Sequence, residues 1–442
     1  DAGFDPIDHT LVDERLGQWQ DIKALGETQE LMADLIVNHM SAQSEEFKDV
    51  LKLGQKSKYW PLFMNEKTVF PAGISSEEQS AIYRPRPGSC FTKYGLENGE
   101  RVNFWTTFTS NQIDIDVESE AGKTYLNSIL QTFAQNNIKM IRLDAAGYAI
   151  KRPGSNCFML EETFDFIDEL SIKANKLGIS TLVEIHSYYQ TQIEIAKRVD
   201  RVYDFALPPL ILHSVFTKNP EALANWLRIS PQNCITVLDT HDGIGIIDVG
   251  PMDGRPGLLT EPEINQLVET IHEKSDGESR QATGAAASNV DLYQVNCSYY
   301  AALGKDDKSY LLARAIQFFA PGIPQVYYAG LLAAENDMNL LEKTQVGRDI
   351  NRPYLDQEAL SGLSAKPVTL ALFHLIKLRN NNPAFDGEFQ LEQTNQIFVM
   401  AWINGQYQAQ LAVDFERLEA VITTQDSVKQ QTYRLSELFQ PK

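Results

Sequence analysis

Short apolar segments, bounded by polar loops and separated by stretches of helical periodicity, recur along the first two thirds of the chain, which is the pattern of βαβ units. Leu35-Ile36-Val37 reads as a buried strand ending at Asn38-His39, and Ile138 to Leu143 as a second ending at Asp144. Thr181-Leu182-Val183 is a third, ending at Glu184. Between the last two, Phe164, Ile167, Leu170, Ala174 and Leu177 predict one face of a helix closed by Gly178 as its C-cap. Arg201 to Phe205 and Ile235 to Leu238 predict further strands, the latter running into Asp239-Thr240-His241-Asp242, and Pro324 to Tyr328 a late one. After Asp386-Gly387 the texture changes to short alternating runs such as Ile397 to Trp402, which predict a small antiparallel β domain.

Parallel strands that each deliver a polar residue at the C-terminal end describe a (β/α)8 TIM barrel better than an open sheet, and no Gly-rich dinucleotide fingerprint follows the first strand. The stretch from His39 to Asp144 is too long for one βα unit, so an insertion must leave the barrel there. The expected organisation is barrel over 1–39, inserted domain B over 40–118, barrel over 119–242, a loop-rich insertion over 243–304, barrel over 305–386, and the β domain over 387–442. At about 150 residues per domain, 442 residues fit this division or two to three separate domains.

Charge and cysteine usage narrow the function. With 39 basic against 59 acidic residues the net charge is −20, which repels nucleic acid and anionic membranes, and no apolar run is long enough to span a bilayer. Cys90, Cys157, Cys234 and Cys297 lie far apart with no C-x-x-C pair; they read as reduced packing residues, with zinc or a disulfide as the minority reading. The N-terminus carries no basic and apolar signal pattern, which makes the cytoplasm the default location.

Asp144, Glu184 and Asp242 then stand out as three carboxylates at the ends of inferred barrel strands. Cleavage of a glycosidic bond needs two such groups, one as acid and one as nucleophile or base, beside an oxocarbenium-like transition state. Taken singly, each reads first as a strand-end cap or an ion-pair partner. Their flanks change that. Asp34 to His39, Ile141 to Asp144, Leu182 to His186 and Val237 to Asp242 resemble the four ordered sequence regions of the α-amylase family of glycoside hydrolases. Phe4 to His9, Tyr83 to Gly88, Ala285 to Gln294 and Gly347 to Arg352 resemble the sucrose phosphorylases within it.

The resemblance implies phosphorolysis of sucrose by a retaining double displacement, with inorganic phosphate as acceptor and glucose 1-phosphate and fructose as products. It makes Asp144 the nucleophile, held ionised by Arg142, and Glu184 the general acid and base, whose pKa the chemistry requires to sit above that of Asp144. Asp242 is then the third acid. Asp1, Phe4, His39, Gln112, His241 and Arg352 become glucose contacts, and Arg86, Tyr148, His186, Asp291, Tyr293 and Gln294 the acceptor side, where fructose leaves and phosphate enters. Without the resemblance, Phe4 and Gln112 are ordinary loop packing and a surface amide, and Arg86 a solvated arginine between two prolines.

The same resemblance places Asp1 in the loop after the second barrel strand, so the first two strands fall outside this sequence and the barrel as written cannot close. It implies no cofactor and no metal, although amylases often hold calcium at the insertion domain. Related phosphorylases of sucrose 6'-phosphate, glucosylglycerol or glucosylglycerate are the alternative, disfavoured for the phosphorylated acceptor because Ala285 to Tyr293 carries no cation and Asp291 would repel it. A non-catalytic amylase-like binding domain is the reading from another class, opposed by the three intact acids. The oligomeric state stays open, a homodimer among the options.

Overall fold

The computed structural model describes residues 3–85, 88–252, 254–283, 294–394 and 397–439. They form two compact units. The first holds 3–185 and 195–202, and the second 186–194 with the described residues from 203 to 439.

In the first unit, strands β1 (Leu31–Ile36), β6 (Ile138–Asp144), β7 (Ser180–Val183) and the start of β8 (Arg201–Asp204) pair in parallel, with Ile36 opposite Asp144 and Val183 opposite Val202. Leu35, Ile141, Leu143 and Leu182 are fully buried, as expected for parallel strands covered on both faces. The helix Glu120–Gln135, capped by Ser119, buries Leu126, Ile129, Leu130 and Phe133. Its Gly122 is required by close approach, since a Cβ there would lie 1.9 Å from the Asp116 carbonyl oxygen. The expected helix is Glu161–Lys176, and it ends as the sequence predicts. Gly178 adopts φ +74°, and the next residue, Ile179, donates back to the carbonyl of Ala174.

Between β1 and β6 the chain folds into short helices and antiparallel pairs. Strand β2 (His39–Ser41) pairs with β5 (Gln112–Asp114), and β3 (Phe91–Gly95) with β4 (Arg101–Trp105). Met64, Phe70, Cys90, Trp105 and Cys157 pack a small core there.

In the second unit, β9 (Cys234–Thr236) and β12 (Ile323–Pro324) run parallel, and β10 (Ile244–Gly245) and β11 (Gln294–Val295) form an antiparallel pair. The strand expected over Pro324 to Tyr328 is corrected to two residues, because Tyr328 already opens the helix Tyr328–Leu331. The ladder stops where the buried amide of Gln317 takes the carbonyls of Thr236 and Gln325, at 2.9 and 2.8 Å. Likewise the strand expected over Ile235 to Leu238 closes at Thr236, although Val237 and Leu238 stay buried. The antiparallel β domain is a five-stranded meander, β13 (Glu388–Gln393), β14 (Phe398–Asn404), β15 (Tyr407–Asp414), β16 (Glu419–Gln425) and β17 (Gln430–Arg434). Phe398, Met400, Leu411, Val413 and Ile422 point from one face of it into the unit's main core. All four cysteines are buried free thiols, and among the described residues no single helix is long and apolar enough to cross a membrane.

Candidate active site

Asp144 ends β6, and Arg142 points the same way two residues earlier, the period-2 spacing of a strand. Arg142 Nη1 donates to Asp144 Oδ1 and to Asp34 Oδ1, each at 2.7 Å, while Nη2 lies 3.9 Å from Glu184 Oε1. One buried guanidinium therefore touches three carboxylates. Burial pushes the Asp144 carboxyl above the ordinary carboxylate range; Arg142 opposes that push and the neighbouring Glu184 adds to it. Arg142 thus faces Asp144 as the sequence reading expects, and burial works against the anion that it favours.

The residue after Asp144 is strained. Ala145 adopts φ +56°, a left-handed conformation uncommon for a side chain with Cβ, and its N–H donates to Glu184 Oε2 at 3.3 Å. That turn aims Asp144 and binds Glu184 in one step.

His39 and Gln112, which stand 35 and 108 residues from Phe4 in the sequence, meet at its carbonyl. His39 Nε2 and Gln112 Nε2 both donate to Phe4 O, at 2.8 and 3.0 Å. Burial pushes His39 below its usual value despite nearby Asp114 and Asp144, and the Phe108 ring lies 5.3 Å from it. Phe4 also faces the Arg142 guanidinium at 5.7 Å. Tyr148 is buried in an aromatic cluster with Phe108, Phe158 and Tyr83. Beneath them lies a pair that sequence reasoning missed. Lys151 Nζ donates to Asp114 Oδ2 at 2.6 Å and to Asn38 Oδ1 at 2.8 Å, all three side chains buried. Asp114 sits opposite His39 in the β2–β5 ladder, so this ion pair anchors the histidine's strand.

In the second unit, Asp242 Oδ1 lies 2.5 Å from Arg348 Nη1, and 3.7 Å from both Arg352 Nη2 and His241 Nε2. Burial raises the Asp242 pKa, but Arg348, His241 and Arg352 overcome it and hold the carboxyl far below its usual range. Arg348 is a further residue the sequence reading passed over, although it stands inside the Gly347 to Arg352 segment; four residues before Arg352, it carried no distinguishing signal. The loop bearing Asp242 is tied down by its backbone. Arg352 Nε donates to His241 O at 2.7 Å, and Asn351 Nδ2 donates to Thr240 O and Asp242 O. A buried ion pair, Arg314 with Asp239 at 2.6 Å, fixes the loop's start. His186 is buried, its Nδ1 2.9 Å from Asp248 Oδ2, and Gln294 accepts from Gly243 N through Oε1 at 3.1 Å.

Asp144, Glu184, Arg142, Phe4, His39, Gln112 and Tyr148 thus belong to the first unit, and Asp242, His186, His241, Arg352 and Gln294 to the second. Asp1, Arg86, Asp291 and Tyr293 lie outside the described residues.

Comparison with known proteins places this arrangement. The family model for the α-amylase catalytic domain matches residues 1–243. A sucrose phosphorylase from Agrobacterium vitis is 57% identical over 427 residues, 96% of this chain and 87% of that one. A sucrose phosphorylase from Bifidobacterium adolescentis is 52% identical over 392 residues, 88% of this chain and 78% of its own. Among solved structures, a sucrose 6F-phosphate phosphorylase from Thermoanaerobacter thermosaccharolyticum is similar with a TM-score of 0.90 at 34% identity, covering 98% of this chain and 89% of that one. The chain therefore belongs to the α-amylase family of glycoside hydrolases, in the branch of the sucrose phosphorylases and related glucoside phosphorylases.

Proposed function

We infer that this enzyme splits sucrose with inorganic phosphate, reversibly, to α-D-glucose 1-phosphate and fructose. The observation that carries the reading is Arg142 gripping Asp144 at 2.7 Å with Glu184 on the same guanidinium, in a chain 57% identical to a sucrose phosphorylase. Asp144 attacks the anomeric carbon, and Glu184 gives its proton to the departing fructose oxygen. A β-glucosyl-enzyme results. Glu184, now a carboxylate, takes the proton of the incoming phosphate as that oxygen attacks the same carbon, so two inversions leave the α configuration. Asp242, kept anionic by Arg348, His241 and Arg352, accepts hydrogen bonds from sugar hydroxyls that strengthen as positive charge develops on the ring.

Asp1, Phe4, His39, Gln112, His241 and Arg352 hold the glucosyl unit, and Arg86, Tyr148, His186, Asp291, Tyr293 and Gln294 the acceptor. Arg86 supplies the planar, permanent charge that a phosphate dianion needs. The same reading keeps inserted domain B over 40–118, the loop-rich insertion over 243–304 and the β domain over 387–442, and puts the enzyme in the cytoplasm. Carboxylates do all the chemistry, so turnover needs no cofactor.

The test is release of glucose 1-phosphate from sucrose with its anomer read by NMR at early times. Phosphate-dependent release of the α anomer is expected. Free glucose at the same rate with and without phosphate, or a β product, would reject the reading.

A further inference from the structure

His186 is held from two directions. Its ring stacks on Phe205 with centroids 3.8 Å apart and planes 16° from parallel, which sets the plane, and Nδ1 meets Asp248 Oδ2 at 2.9 Å, which sets the rotation within it. Asp248 is fully buried. Its other oxygen, Oδ1, accepts from the backbone N–H of Ser187 at 3.2 Å and from Gln192 Nε2 at 3.0 Å. Donors converging on a buried carboxyl describe a seat for an acceptor, so the proton between Asp248 and His186 belongs on Nδ1. The seat is shaped by β10. A Cβ on Gly245 would fall 2.3 Å from Asp248 Oδ2 and 3.0 Å from His186 Nδ1, so only glycine leaves room for the pair. Gly245 also faces Gln294 across the β10–β11 ladder. One brace thus serves two residues assigned to the acceptor.

We propose that Asp248 is a positioning residue of the acceptor side, keeping a proton on His186 Nδ1 and fixing the ring so that Nε2 is the nitrogen that meets the acceptor, as a lone pair toward a fructose hydroxyl and as a donor toward phosphate when the ring carries both protons. This rests on the reading of His186 as an acceptor contact. A carboxylate opposite Nδ1 keeps a proton on that nitrogen whether or not Nε2 carries a second one, whereas an amide in its place can donate to Nδ1 and move the ring proton to Nε2. The first half-reaction from a donor without fructose, such as α-glucosyl fluoride, does not use that contact. The acceptor steps do.

The experiment compares Asp248→Asn with His186→Gln in the full chain. Each is assayed for glucosylation by α-glucosyl fluoride, for kcat/KM toward phosphate, and for hydrolysis of the glucosyl-enzyme. For Asp248→Asn, kcat/KM toward phosphate should fall roughly 10- to 100-fold while glucosylation changes less than about threefold, as for other carboxylate–histidine pairs in which the carboxylate acts through the ring. His186→Gln should show the same split. If His186→Gln loses phosphorolysis and Asp248→Asn does not, this inference fails and the acceptor reading stands. If His186→Gln keeps phosphorolysis, the acceptor reading of that residue fails first. Equal losses in every step with a lowered Tm would make the pair merely structural. Should Asp248→Asn not fold, the 15N NMR spectrum of the wild-type ring decides: protonation at Nδ1 is expected, and a neutral ring protonated at Nε2 would overturn the proposal.

Discussion

At Asp144 two forces act against each other on one carboxyl. Removing it from water favours the neutral form, while the Arg142 guanidinium at 2.7 Å favours the anion, and burial prevails. With Asp144 as the proposed nucleophile, which must be ionised to attack, the acidic limb of kcat/KM should lie above the usual carboxylate range near pH 4. Arg142→Gln removes the opposing charge and should carry that limb to still higher pH. A limb that does not move in the variant would show that the acidic limb reports another group. Asp144→Ala has no substitute nucleophile and should abolish turnover, and Glu184→Gln should lower it about 100- to 10,000-fold. Steady-state rates with sucrose and phosphate check both, and more than a tenth of wild-type activity in either variant would reject the assignment. Arg142 was readable in the sequence through the family resemblance, with which its place two residues before Asp144 on one strand face agrees. Asp34 stood in the same motif set, yet its bond to Arg142 appears only when β1 and β6 pair with Asp34 opposite Arg142.

Among the elements, the loop from Asp239 to Asp242 is positioned by side chains that arrive from distant helices. Arg314, fully buried on the helix Asp307–Phe319, donates to Asp239 Oδ2, and Gly330 packs against both, since a Cβ there would lie 1.9 Å from Asp239 Oδ2 and 2.1 Å from Arg314 Nη2. Gly330→Ala should therefore split a buried ion pair, at about 3 to 5 kcal/mol. Denaturant unfolding should show the loss, and an unchanged midpoint would mean that the loop relaxes around the methyl group. Nothing in the local sequence near Gly330 announces this. What could be read locally was the strand period, the helix face of Ile167, Leu170 and Ala174, the C-cap at Gly178 and the alternation after Gly387. What could not was anything decided by a partner far along the chain. The ladder beyond Pro324 gives way to Gln317, Ala145 takes a left-handed turn that satisfies Glu184, and Lys151 seeks out Asp114. The candidate site was legible as motifs, and apart from Arg142 its supports were not.

For the molecule as a whole, stability should carry a pH signature from a carboxyl outside the assigned chemistry. Asp204, at the end of β8, is buried, accepts from Trp226 Nε1 at 3.0 Å and from Leu207 N at 3.0 Å, and has its pKa pushed up to about 7 by burial despite those donors. A raised folded-state pKa means that the native protein holds a proton the unfolded chain releases. The contribution is full below the unfolded value near 4 and fades as pH rises to about 7, a swing of up to about 4 kcal/mol for a shift of roughly three units. The net charge of −20 adds self-repulsion in the same direction, so wild-type stability alone cannot separate the two. Asp204→Asn can. It changes the total charge by at most one, keeps an oxygen for Trp226 and removes the titration, so urea midpoints of wild type and variant should diverge between about pH 4 and pH 7, with the wild type losing ground as pH rises. Parallel curves would mean that Asp204 is ionised in the native protein throughout, and that its burial is compensated by its hydrogen bonds after all.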